Sequence, residues 1–109
     1  MLLRDNPIHE VIKHAILHKQ HILATYQTYY REMCPHAIGL KNGKVHCLFY
    51  QFGGESSSGI FTPSSTNNWR CIPIAGLSNI EVRNGVWYTA QNHSKRQICI
   101  DLVEAEVGE

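Results

Sequence analysis

The tightest constraint on this chain is a dipeptide. Asn42-Gly43, flanked by Lys41 and Lys44, is the sequence of a two-residue hairpin turn. Both residues tolerate the left-handed backbone that such a turn requires, and its twist matches the strands it joins. The turn therefore pairs residues 37–40 with residues 45–52 as antiparallel neighbours. The second run, Val45 to Phe52, is rich in aromatic residues and apolar enough for a central strand.

Upstream of the hairpin the sequence reads as one helix and then more strands. In residues 6–20, Ile8, Val11, Ile12, Ala15 and Ile16 follow i, i+3, i+4, i+7, i+8 spacing, which marks the buried stripe of an amphipathic helix. Asn6 suits the cap, and Pro7 suits the first helical position, where its missing N–H costs nothing. From Ile22 the period switches to alternation. Gln27-Thr28 reads as a tight connection, so residues 21–34 form a hairpin. Pro35 is expected to end its second strand, because proline cannot donate to a ladder.

Downstream, Gly53 to about Asn68 reads as a long polar loop. Further strands are expected at residues 69–74, at 77–82 and, after an Asn84-Gly85 turn, at 86–88. Residues 97–103 alternate again, and residues 104–109 read as an acidic end that frays. The expectation is a mainly β (α+β) fold, a single domain over residues 1–109. Its helix spans 6–20, and a small curled antiparallel sheet or barrel spans about 21–103.

Composition narrows the function. The 43% hydrophobic and 17% charged residues are those of a globular domain, not a disordered segment. A formal charge of +1 excludes broad phosphate neutralisation of the kind strongly basic nucleic-acid binders use, although seven histidines would add charge near pH 6. Cys34, Cys47, Cys71 and Cys99 contain no CxxC pair and are expected to be reduced, buried thiols. With no secretory apolar region and no run of membrane-spanning length, the expected location is the cytoplasm.

An ordered set of motifs resembles the WYL domain, a ligand-sensing module of bacterial transcription regulators. The helix and Ile22–Tyr26 are followed by Tyr30-Arg31-Glu32-Met33-Cys34-Pro35, where the family has an F-x-Y strand, an arginine and V-x-P. His46-Cys47-Leu48 occupies the place of the Trp-Tyr-Leu tripeptide, and Trp69 to Val82 resembles the closing W-R-x-F-R segment. Two arginines typical of that segment are Pro73 and Gly76 here. The resemblance, over residues 8–82, implies an Sm-like five-stranded barrel with an N-terminal helix. It also implies binding of single-stranded nucleic acid or another small anion through a basic, aromatic patch. The family's DNA-binding winged helix has no counterpart, so output is expected to pass through a partner.

The candidate ligand residues are Tyr26, Arg31, His36, Gln51, Trp69 and Arg70. A guanidinium can fork two hydrogen bonds onto a phosphate, and an aromatic face can stack a base. Against this, Tyr26 could be core, Arg31 could pair with a surface acid, and Trp69 could pack under the long loop. His14, His18 and His21 share a helical face if the helix runs that far, but lack a neighbouring acid or thiol, so a solvated face rather than a metal site is expected. Cys34 with His36, or Cys47 with His46, is too close in sequence to aim a base at a thiol. The expectation is a non-catalytic module without cofactor that senses a nucleotide or short single strand. The alternative is a structural or protein–protein interaction subunit, a homo-oligomer that pairs through a sheet edge or the aromatic run Phe49–Phe52.

Overall fold

The computed structural model describes residues 7–55, 68–89 and 99–108. Helix α1 spans Pro7–Leu17. Ile12, Ala15 and Ile16 are buried, and Ile8 and Val11 pack at the rim of the same core, so the stripe lies where its spacing puts it. The helix stops short of Gln20. Lys19 takes a positive φ of 52°. The Gln20 amide then reaches back to Ala15 O and the Lys19 amide to Ile16 O, at 2.9 and 3.3 Å. That pair of bonds is the Schellman closure, here built without the glycine that usually announces it.

Among the described residues six strands follow: β1 His21–Tyr26, β2 Tyr29–Lys41, β3 Lys44–Gly54, β4 Trp69–Pro73, β5 Ser78–Arg83 and β6 Leu102–Glu106. A 3₁₀ turn, Ile74–Gly76, joins β4 to β5. Two of the three expected turns are present, with positive φ at Gln27 and Thr28 and at Asn42 and Gly43; the one expected at Asn84-Gly85 does not form. The fold is mainly β, and all strand pairs are antiparallel. The sheet order is β4-β3-β2-β1-β5, with β6 added on β2. Since β4 and β5 are not paired with each other, the sheet stays open and is not a closed barrel.

Strand β2 runs straight through Pro35, contrary to the expected stop. One edge of β2 pairs with β1 only as far as Met33 and with β6 only from Ala37. Pro35 therefore falls where neither ladder requires an N–H. On the β3 side the register slips between Pro35 and Ala37, the bulge that proline tolerates.

Alternation along the central strands sends side chains to two separate cores. On one face Ile22, Ala24, Met33, Ile38, Cys47, Phe49 and Ile72 meet Ile12, Ala15 and Ile16 of α1. On the other, Cys34, Ala37, Leu48, Tyr50 and Trp69 meet Cys99 and Ile100, with Trp87 packed alongside. Coverage on both faces explains why Cys47 to Gln51 are all buried.

The segment 84–89 is not the expected strand. It docks on the second face through side chains. His21 Nε2 donates to Val86 O at 2.6 Å, and the Tyr88 amide donates to Cys34 Sγ at 3.4 Å. Gly85 lies flat against the His21 ring, where a Cβ would collide. The acidic end is also ordered as far as Glu106, because β6 occupies it. Glu104 accepts from Lys13 at 3.0 Å and from His9 at 2.6 Å, which ties β6 to α1. The Lys13 bond holds the Glu104 carboxyl below its ordinary range, with burial opposing and His9 assisting.

Cys71 of β4 is bonded to Cys99, at a Cα–Cα distance of 5.5 Å, while Cys34 and Cys47 are free. This corrects the expectation of four reduced thiols: spacing in sequence carries no information on which strands meet. Such a bond persists in oxidising surroundings, which sets it against the cytoplasmic expectation. Among the described residues no helix is long and apolar enough to cross a membrane. The bridge spans 28 positions, so loop-closure entropy predicts that replacing both cysteines by alanine lowers stability by about 3.5 kcal/mol. Urea unfolding of the two forms checks this, and equal midpoints would refute it.

Candidate anion-binding site

The site is built at the turn end of the β1–β2 hairpin. The Gln27-Thr28 turn sets Tyr26 directly opposite Tyr29. Two residues further along β2, Arg31 returns to the same side as Tyr29. Its guanidinium carbon lies 5.3 Å from the Tyr26 ring centre and 5.7 Å from that of Tyr29. Cation–π attraction at such distances contributes roughly 0.5–2 kcal/mol per ring. The lateral neighbours of Arg31 are Ala24 and Gly54, small enough to leave the side chain room.

Gln51 completes the cradle from β3. Its Oε1 accepts from Arg31 Nη1 at 3.2 Å, and its Nε2 donates to Gly53 O and Glu55 O, both at 2.9 Å. The carboxamide is thereby held so that only its oxygen faces the cation. Arg31 Nε also reaches Tyr26 O at 3.4 Å. These two bonds use two of the five N–H groups of a guanidinium.

Arg31 is only 4% exposed, yet among the described residues no carboxylate pairs with it. Burial lowers its pKa, and the two tyrosines oppose that effect. A guanidinium nonetheless stays charged at any ordinary pH, so among the described residues Arg31 is a buried cation without a counter-charge, an arrangement that is costly on its own. Arg70, half-buried on β4, is paired with Phe49, two places before Gln51 on the same face of β3, and its pKa is lowered first by burial and then by Arg31. Its Nη1 donates to Trp69 O at 3.1 Å. Two desolvated guanidiniums brought together suit an anion.

The six expected residues therefore divide. Tyr26, Arg31, Gln51 and Arg70 come together. His36 and Trp69 do not join them, for they belong to the opposite face. There the His36 ring lies 4.8 Å from Trp69 and 4.9 Å from Trp87, and Trp69 is edge-on to Tyr50 at 5.1 Å. His36 Nδ1 donates to Cys34 O at 2.9 Å, and Nε2 meets Thr89 Oγ1 at 3.0 Å. Both side chains are core packing that happens to be polar at the tip. Tyr29 and Gly76 are the residues the sequence reading missed. Tyr29 was legible from alternation, two places before Arg31. Gly76 was not: a Cβ there would sit 2.8 Å from the Tyr26 ring, so glycine lets that ring lie against the turn.

The other candidates resolve differently. His14 and His18 stack at 4.0 Å on α1, but His21 belongs to β1 and faces Phe52 at 4.5 Å with Nδ1 buried and unpartnered. The three-histidine face does not form. Among the described residues no group of three His, Cys, Asp or Glu side chains could hold a metal ion. A groove of about 380 Å³ lies between α1 and β5, lined by Glu10, Val11, His14, Gln20 and Val82; it shares no residue with the arginine site. The run Phe49–Phe52 is no exposed strand, since β3 lies between β2 and β4 with Phe49 and Tyr50 wholly buried.

The two free thiols are inert by environment. Burial pushes Cys34 up to about 12, against the Tyr88 N–H, and drives Cys47 well above its ordinary value. A thiolate, the reactive form, is then scarce. Native protein at pH 8 is expected to show no labelling of Cys34 or Cys47 by a disulfide reagent, and full labelling on denaturation. Rapid labelling of the native state would contradict the burial.

No protein-family model matches the chain, and no curated protein or solved structure matches it either.

Proposed function

We propose that this domain is a non-catalytic binding module for a small anionic ligand, a nucleotide or a short single-stranded nucleic acid, and that it acts through a protein partner. The observation that carries this reading is Arg31, a buried cation with unused donors, two aromatic rings beside it and a second guanidinium nearby. An incoming phosphate would supply negative charge, and a half-buried tyrosine ring would accept a base. A helix ahead of a mainly β, antiparallel sheet supports the WYL resemblance in outline only, for the sheet is open. Tyr26 and Arg31, its most direct matches, stand together. Inertness of both free thiols supports a role without nucleophilic cysteine chemistry.

Titration with adenosine monophosphate and a short single-stranded oligonucleotide tests the reading. A hydrogen bond to a charged group contributes about 1.5–3 kcal/mol, so Arg31→Ala is expected to weaken binding by roughly tenfold or more. Arg31→Lys should recover only part, because an ammonium lacks the fork. With two cations engaged, the logarithm of the binding constant for the oligonucleotide should fall against that of salt with a slope of about −1.4. Unchanged binding by folded Arg31→Ala would sink the assignment.

A homo-oligomeric interaction subunit is the second reading. Leu40 and Leu102 are paired across β2 and β6, yet stay 38% and 67% exposed, with Val103 beside them at 43%. On that reading sedimentation should show a dimer or larger species that persists at micromolar protein; a monomer there counts against it.

A further inference from the structure

The disulfide and the arginine site share one strand. Cys71 follows Arg70 in the chain, and alternation sends the two side chains to opposite faces of β4. β4 is five residues long. It ends the sheet order, so among the described residues only β3 is laddered to it. A short strand with one neighbour depends on its side-chain anchors for position. Toward α1 these are Ile72 and the following Ile74. On the other face they are Trp69, packed on Tyr50 and His36, and the covalent tie from Cys71 to Cys99.

The tie is reachable from solvent at one end, since Cys71 is exposed while Cys99 is buried. The remaining thiols, Cys34 and Cys47, are wholly buried and poor competitors for exchange.

We propose that the Cys71–Cys99 disulfide is a redox clasp on β4 that sets the affinity of the anion site by fixing Arg70 on the sheet face that carries Arg31 and Gln51; this rests on reading those arginines as an anion site. The step requires a dithiol reductant. One of its thiolates attacks a sulfur of the bridge, forms a mixed disulfide and releases the other cysteine. Its second thiol then displaces the first cysteine and closes the reductant into a cyclic disulfide. Two electrons and two protons end on Cys71 and Cys99. β4 is then held by the β3 ladder and apolar contacts alone, and the ligand loses the fixed position of one of its two guanidiniums.

The test compares oxidised protein, dithiothreitol-reduced protein and the Cys71→Ala, Cys99→Ala double variant, each by adenosine monophosphate titration and by amide exchange. Reduced and double-variant protein are expected to bind about tenfold more weakly, within the usual span of coupled sites. Beyond the shared loss of protection that lower global stability brings, their β4 amides should exchange faster than those of β1 and β2. Arg70→Ala should make affinity independent of redox state. Equal affinity in the two states overturns the proposal. So does a uniform loss of protection across the sheet, or loss of the near-ultraviolet dichroism of the folded protein, since the bond would then support the whole fold and not one strand. Absence of binding in every form sinks the anion reading instead. The clasp is then judged on β4 exchange, and unchanged exchange there overturns it as well.

Discussion

Everything in this domain is arranged around β2, a strand that must be buried on both faces and paired on both edges. Met33 and Ile38 serve the core under α1, while Cys34 and Ala37 serve the core under the later segments. One edge is taken by β3 along most of its length, and the other is divided between β1 and β6. A strand so enclosed can carry polar groups only if each finds a partner. His36 satisfies this by bonding to Cys34 O and Thr89, and Pro35 by standing where the two ladders on its edge leave a gap.

Near its start, the same strand carries the exception. Lys13, Lys41 and Arg83 at the surface each have an acid within 4.0 Å, where pairing is worth little. Arg31, which is buried and would gain most, has tyrosine rings, a carboxamide and a backbone oxygen instead. Neutral partners ease desolvation without cancelling the charge. That distribution of partners is unlike that of a structural ion pair.

The parts legible in sequence were those governed by local rules. The helix stripe, the turns at Gln27-Thr28 and Asn42-Gly43, and the central character of β3 all follow from periodicity and backbone preference. Tyr26, Arg31 and Gln51 could be grouped because a hairpin and alternation place them. The parts that escaped were settled by distant neighbours. Pro35 stays in its strand only because β1 and β6 stop on either side of it. Residues 86–88 have strand composition but meet a sheet face already in need of cover. His36 and Trp69 have the chemistry of ligand contacts but fall on the wrong side of β2 and β4. The Cys71–Cys99 pairing depends on where the final segment returns, which no spacing encodes.

The division of one β2 edge between β1 and β6 also orders events during folding. The β1–β2 and β2–β3 hairpins close over two-residue turns, so their contacts form at small entropic cost and early. β6 joins residues near the end of the chain to the middle of β2 and can dock only after that middle exists. Until it does, the Ala37–Leu40 stretch offers an unpaired backbone edge to any passing strand. During synthesis, the interval between the appearance of β3 and that of β6 is when this domain is most open to mispairing.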